Sequence, residues 1–179
     1  MDFNLSDARA HLARAPQVVR TLVEPLQGLW LTADEGTGTW SPVQVVRHLI
    51  WCEVDDWIPR ARMILEHGET RAFNPFDREG GESRYGSWPL AALLDEFARL
   101  RAENLRTLDS FALDAPKLAL RGSHPALGPV TLGQLLATWV AHDYAHYTQI
   151  SRTLARQYRG AVGPWKQFMS VMKEGAVEA

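Results

Sequence analysis

The sequence predicts an all-α protein, a four-helix bundle, on three observations. Four stretches place apolar residues at helical three-and-four spacing, two of them open on complete helix-start signals, and nothing reads as a sheet. The whole chain, residues 1–179, reads as one bundle domain, with no repeat, low-complexity tract or linker.

The first helical pattern runs from about Ser6 to Leu29 and holds Pro16 and Pro25. Proline suits a first turn and breaks an interior, so a short piece to Ala15 and a restart at Pro16 are expected. Before the second helix, Ser41 is the N-cap, Pro42 takes the first position and Gln44 completes a capping box, with Trp40 poised to staple onto Val45. This helix should reach about Glu66, kinked near Asp55 because Pro59 cannot donate to that carbonyl. Gly68 to Ser87 follows as a loop of about twenty residues, long enough to travel the bundle and leave helices two and three parallel. The third helix starts at Ser87 and carries Leu90, Leu93, Leu94, Phe97, Leu100 and Leu108 on one stripe. A loop from Leu113 to Val130 leads to the fourth, where Thr131 caps and Gln134 closes a second capping box. That helix should continue to about Tyr158, and Trp165, Phe168 and Met169 fall in an expected short terminal helix.

Bulk properties narrow the function. With 46% hydrophobic and 22% charged residues, the composition is globular. Net charge is −2 with Lys and Arg dispersed, so no nucleic-acid footprint is expected. One cysteine, Cys52, excludes an intrachain disulfide. No signal peptide and no membrane span are read, which makes the cytoplasm the expected location.

The chemistry concentrates in the fourth helix. Its inward stripe reads Leu132, Leu135, Leu136, Trp139, His142, Asp143, His146, Ile150 and Leu154. Spacing of i, i+4 stacks the imidazoles of His142 and His146 on one side of a helix, a metal-chelating arrangement that also arises by chance. His48 adds weight, since it lies beside Val45, Leu49 and Cys52 on the apolar stripe of the second helix. Three unpaired imidazoles in a core would be costly, and one shared divalent transition metal satisfies them all. Two histidines from one helix and one from another form a facial set that leaves positions open for water or substrate. Zinc, nickel, copper and iron all suit such ligands.

Several segments together carry a family resemblance: Trp40-Ser41-Pro42 with His48-Leu49, Asp56-Trp57-Ile58-Pro59-Arg60, His124-Pro125 with Gly128-Pro129-Val130-Thr131, His142-Asp143 with His146, and Val162-Gly163-Pro164-Trp165. Over nearly the whole chain the pattern resembles the DinB/YfiT-like superfamily of metalloenzymes. The resemblance implies a bundle in up-down-down-up order and a three-histidine site, usually for nickel or zinc, at His48, His142 and His146. Relatives include transferases and isomerases that use low-molecular-weight thiols, so a small thiol is an implied co-substrate.

Other residues near the site have two readings each. Asp143 is either a catalytic base or partner of an imidazole N–H, or one half of a salt bridge. Arg101 and Asn104 either bind an anionic substrate group or neutralise Asp55, Asp56 or Asp143. Cys52 is either a small apolar residue or a fourth ligand. Trp139 is core or a wall of the metal pocket, while His124 reads as a turn residue. The Gly68–Ser87 loop, with Gly80-Gly81 and Phe73, Phe76 and Tyr85, is either a mobile lid over the site or a plain crossover. The expected function is metal-dependent transfer of a thiol onto a small-molecule electrophile. A metal-dependent hydrolase and a non-catalytic binding module are the alternatives, and a homodimer is the one protein partner considered.

Overall fold

The computed structural model describes residues 2–173. Helix α1 spans Leu5–Val23, a single turn α2 Leu29–Thr32, α3 Pro42–Asp55 and α4 Trp57–His67. After them come α5 at Gly80–Tyr85, α6 at Leu90–Ser110, α7 at Ala115–Leu118 and α8 at Leu132–Arg156. Short 3-10 turns at Gly163–Phe168 and Ser170–Met172 stand where the terminal helix is expected. No helix among the described residues is long and apolar enough to cross a membrane.

Four columns form the bundle: α1, the pair α3–α4, α6 and α8. Ion pairs give their directions. Arg9 meets Asp109 at 2.7 Å and Arg20 meets Asp95 at 2.6 Å, so α1 and α6 run antiparallel. One core cluster joins Val45, Val46 and Leu49 with Leu93, Leu94 and Phe97 from the start of α6, and with Ile150 from late in α8. The other joins Ile58, Ala61 and Ile64 with Leu105 and Leu108 from the end of α6, and with Leu132, Leu135 and Leu136 from the start of α8. Hence α3–α4 and α6 are parallel, α8 opposes both, and the order is up-down-down-up.

Both capping boxes form. The Ser41 N–H donates to Gln44 Oε1 at 2.9 Å, and Thr131 exchanges bonds of 2.8 and 3.1 Å with Gln134. The break expected from Pro59 also occurs. Asp56, at φ −111 and ψ −76, separates α3 from α4.

Pro16 corrects the expectation of a break, because it sits inside an uninterrupted α1. A proline at position 16 leaves the Leu12 carbonyl without its helical donor. Arg101 supplies the missing bond from Nη1 at 2.9 Å, so a tertiary contact repairs the helix.

The expectation that no sheet forms is likewise corrected. Arg121–His124 (β1) and Gly128–Thr131 (β2) make an antiparallel hairpin. At its turn the backbone N–H groups of Ala126 and Leu127 donate to His124 Nδ1 at 3.1 and 3.2 Å, and Gly128 takes φ +74. A side chain capping a tight turn carries no periodicity, so the strands escape a search for alternation.

The Gly68–Ser87 connection holds a 3-10 turn and α5, and α5 packs on α3. Gly80 and Gly81 act here as contact points. A Cβ on Gly80 would come within 2.3 Å of the Trp51 ring, and one on Gly81 within 2.8 Å of the Arg47 carbonyl.

Candidate metal centre

His48 projects from α3 and His142 and His146 from α8, so the three imidazoles meet at the seam between those columns. Spacing of i, i+4 puts the two α8 rings one turn apart, with centroids at 4.3 Å. His142 Nε2 lies 3.2 Å from His48 Nε2 and 3.1 Å from His146 Nε2, and one ligand atom of each residue falls within 4.8 Å of the others.

The two spacings at His142 Nε2 fit a single ion. Two nitrogens each ~2.1 Å from one metal, at tetrahedral or octahedral angles, lie roughly 3.0–3.4 Å apart. Mutual hydrogen bonding does not account for them as well. A neutral imidazole nitrogen holds one proton or one lone pair, and His142 Nε2 faces two neighbours at once. His146 Nδ1 contacts Gln149 Oε1 at 2.8 Å. That oxygen can only accept, so the proton sits on Nδ1 and the Nε2 lone pair points toward the cluster. The Nδ1 of His142 is buried without a partner.

Electrostatics favours the ligand form. Burial pushes the pKa of His142 down to about 2, helped by His146, His48 and Arg101. Burial, with His146 and Arg78, pushes His48 down to about 3. His146 is lowered by burial and partly restored by Gln149. All three are therefore neutral at pH 7, the state a metal needs.

Aromatic rings wall the cluster. Trp40 lies 4.6 Å from the His48 ring and stacks at 6.2 Å on His146, Phe76 meets His48 edge-on at 5.7 Å, and Trp57 meets His142 edge-on at 5.1 Å. Phe76 thus brings the long connection to the site. Cys52 is buried, with Sγ 3.4 Å from His48 Nε2. Burial and the carboxylates of Asp56, Glu53 and Asp143 raise the pKa of this thiol.

A second polar cluster lies deeper. Arg101, only 1% exposed, donates from Nε and Nη2 to Glu53 Oε1 at 3.0 and 2.8 Å. It also donates from Nη1 and Nη2 to the two Asp143 oxygens at 2.7 and 3.0 Å, and from Nη1 to the Leu12 carbonyl. Asn104 Nδ2 donates to Glu53 Oε2 at 2.9 Å and Trp139 Nε1 to Glu53 Oε1 at 3.3 Å. Burial raises the Asp143 pKa, an effect opposed by Arg101.

Comparison with known proteins adds a family. A family model described as the DinB superfamily matches residues 11–150. The chain belongs to the DinB superfamily. Among solved structures it is similar to YfiT from Bacillus subtilis, with a TM-score of 0.73 and 22% identity, over 85% of this chain and 86% of that one. YfiT is described as "a probable metal-dependent hydrolase with an unusual four-helix bundle topology". At that identity the likeness speaks to the fold. No curated protein matches the chain.

In this DinB-superfamily chain the structure gathers His48, His142 and His146 and holds Arg101 and Asp143 apart from them. The Arg101 guanidinium is given to Glu53 and Asp143, and Asn104 to Glu53, with no N–H of Arg101 left for a substrate anion. Trp139 is fully buried and stacks on Trp57, so Trp57 rather than Trp139 touches His142. His124 is the hairpin cap. Sequence reasoning missed Gln149 and Glu53. Gln149 follows His146 by three positions, one helical turn, and could have been sought as a partner for the ring. Glu53 carries no local signal, since nothing near it in sequence reveals a guanidinium 48 residues away.

Proposed function

We propose that the chain is a metal-dependent enzyme that holds one divalent transition ion, zinc or nickel, through Nε2 of His48, His142 and His146, and that it transfers a low-molecular-weight thiol onto a small electrophile. The observation that carries the reading is the convergence of three neutral imidazole nitrogens that cannot satisfy one another. An ion bound there supplies Lewis acidity, which lowers the pKa of a coordinated thiol or water and makes a nucleophile at neutral pH.

The protein's own groups do the rest. Gln149 fixes the His146 tautomer, while Trp40, Trp57 and Phe76 keep water from the ligand rings and offer apolar faces to a substrate. Arg101 and Asp143, which the sequence offers either as reacting groups or as salt-bridge partners, stand off the reaction path in this reading, because each satisfies the other. Glu53 and Asp143 both accept from Arg101, so neither is offered as a base. A coordinated thiol and a coordinated water would both ionise without a carboxylate base, so the choice of a thiol rests on the resemblance to thiol-using relatives. Cys52 is not the nucleophile, since burial holds its thiol protonated.

Hydrolysis is the second reading, favoured by the description of YfiT. The two separate in one assay. Metal-loaded protein is offered an electrophile panel with and without small thiols, and ester and amide substrates alone. Thiol-dependent turnover that disappears on metal removal and persists in Cys52→Ala is expected. Turnover without thiol establishes the hydrolase instead, and transferase activity undiminished in metal-free protein rejects the metal mechanism.

A further inference from the structure

We propose that Arg101 is the positioning residue of the metal centre: its guanidinium fixes the register of α3 against α8, and that register makes His48 meet His142 and His146. The proposal rests on reading the three histidines as a metal centre.

A guanidinium has five N–H donors, and all five are used here. They reach α1 through the Leu12 carbonyl, α3 through Glu53 and α8 through Asp143, with the arginine itself on α6. One side chain thus ties all four columns of the bundle at one level. Its two carboxylate partners lie beside the ligands in sequence. Asp143 follows His142 directly, and Glu53 stands five positions after His48. Successive helical residues rise by ~1.5 Å, so a slip of α3 against α8 by even one residue would destroy a nitrogen contact of 3.2 Å. The Arg101 fork is fixed and planar, whereas apolar neighbours tolerate sliding.

The energetics point the same way. Buried ion pairs seldom stabilise a fold more than a well-packed apolar core would, and their best-attested use is to specify register. The Glu53–Arg101–Asp143 group is fully buried among Leu12, Phe97 and Trp139, where an apolar core could stand. Lysine cannot take its place, because an ammonium has three donors and no fork.

Arg101→Lys keeps the charge and loses the geometry, which makes it the variant to test. A core truncation two turns along α6, Leu108→Ala, removes no polar partner of either cluster and serves as the stability control. Two readouts are taken on folded protein: zinc affinity, and the NOE between the His48 and His142 rings in metal-free protein, whose centroids are 5.2 Å apart. Arg101→Lys should lose about tenfold or more in zinc affinity and weaken the NOE. Leu108→Ala should lower the melting temperature and leave both readouts unchanged. Arg101→Lys with native affinity and NOE, or equal losses in the control, overturns the proposal. Should the wild type take up no zinc, the metal reading fails by itself, and the NOE comparison still decides the positioning role. If Arg101→Lys does not fold, Asp143→Asn, which keeps the size of the side chain and removes one acceptor, is measured in its place with the same outcomes.

Discussion

The molecule holds two polar clusters that share α3 and α8, one fully buried and one half-buried at the seam, and they are built on opposite terms. Around Arg101 every donor finds an acceptor: five guanidinium bonds, an asparagine amide and an indole N–H close the set. Around His142 the set stays open, with three imidazole nitrogens converging and none able to satisfy both of the others. Buried polar groups are normally hydrogen-bonded, so the closed cluster needs no ligand while the open one points to something added. The contrast teaches which charges to treat as architecture. Asp143 and His142 are adjacent in sequence, yet a turn of about 100° per residue sends one to the core and the other to the seam.

The largest effect that could break this contrast is on stability. Arg101→Met should leave two buried carboxylates uncompensated and cost about 3–5 kcal/mol in chemical denaturation. A cost under ~1 kcal/mol would mean that the closed cluster is far more hydrated than its geometry implies.

The opposite pattern is expected of the open cluster. His142→Ala should reduce zinc affinity by roughly a hundredfold or more, since it removes the central ligand, and should leave metal-free stability almost unchanged. His124→Ala should do the reverse, leaving zinc binding intact and costing ~1 kcal/mol through loss of the hairpin cap. Isothermal titration alongside denaturation of both variants checks the pair. Equal losses of zinc affinity would show that the wrong histidines have been assigned.

Acid sharpens the comparison further. His48 and His142 have folded-state pKa values pushed down to about 3 and about 2, from 6.5. Between those limits the unfolded chain binds more protons, so metal-free protein loses stability as pH falls below about 6.5. Asp56 works against this. Burial raises its pKa from 3.8 to about 6, which favours the folded state on protonation, and raises Asp143 too, while His146 is lowered like the other two imidazoles, so three imidazoles oppose two carboxyls. A net loss of at least ~1 kcal/mol between pH 7 and pH 5 is expected. Chelator should lower the melting temperature more at pH 7.5 than at pH 5, where protons already compete with the metal. Stability independent of pH over that window would mean the imidazoles are solvated.

The two clusters were not equally legible in the sequence. His48, His142 and His146 could be read because each continues an apolar stripe, and an ionisable residue on such a stripe is conspicuous. Capping boxes at Ser41 and Thr131, and the Pro59 break, were legible because their signals are local. The closed cluster was legible only in part, through the reading in which Arg101 neutralises Asp143. Asn104 and Arg101 interrupt the α6 stripe visibly, but Glu53 lies 48 residues from Arg101 and only the assembled bundle pairs them. Pro16 misled for the same reason, since the donor that rescues its helix comes from α6. The hairpin was missed because an imidazole, rather than a run of alternating residues, holds its turn.

The smallest expected effect concerns Gln149, where the two clusters resemble each other most. Its amide oxygen completes a hydrogen bond to the open cluster, holding the proton of His146 on Nδ1 at 2.8 Å. Without it the imidazole can place its proton on Nε2, and that tautomer has no lone pair to give the metal. Orienting partners of this kind usually contribute ten- to a hundredfold in affinity. Solvent can replace the amide at a partly buried site, so Gln149→Leu should fall near the low end, about tenfold weaker for zinc. Gln149→Glu should bind at least as tightly as wild type, because a carboxylate accepts the same Nδ1–H and adds a negative charge behind the ligand. Titration of the two variants against wild type distinguishes orientation from packing. If leucine, of similar size, binds zinc as well as glutamine does, the hydrogen bond is incidental and the His146 tautomer is set by the ion alone.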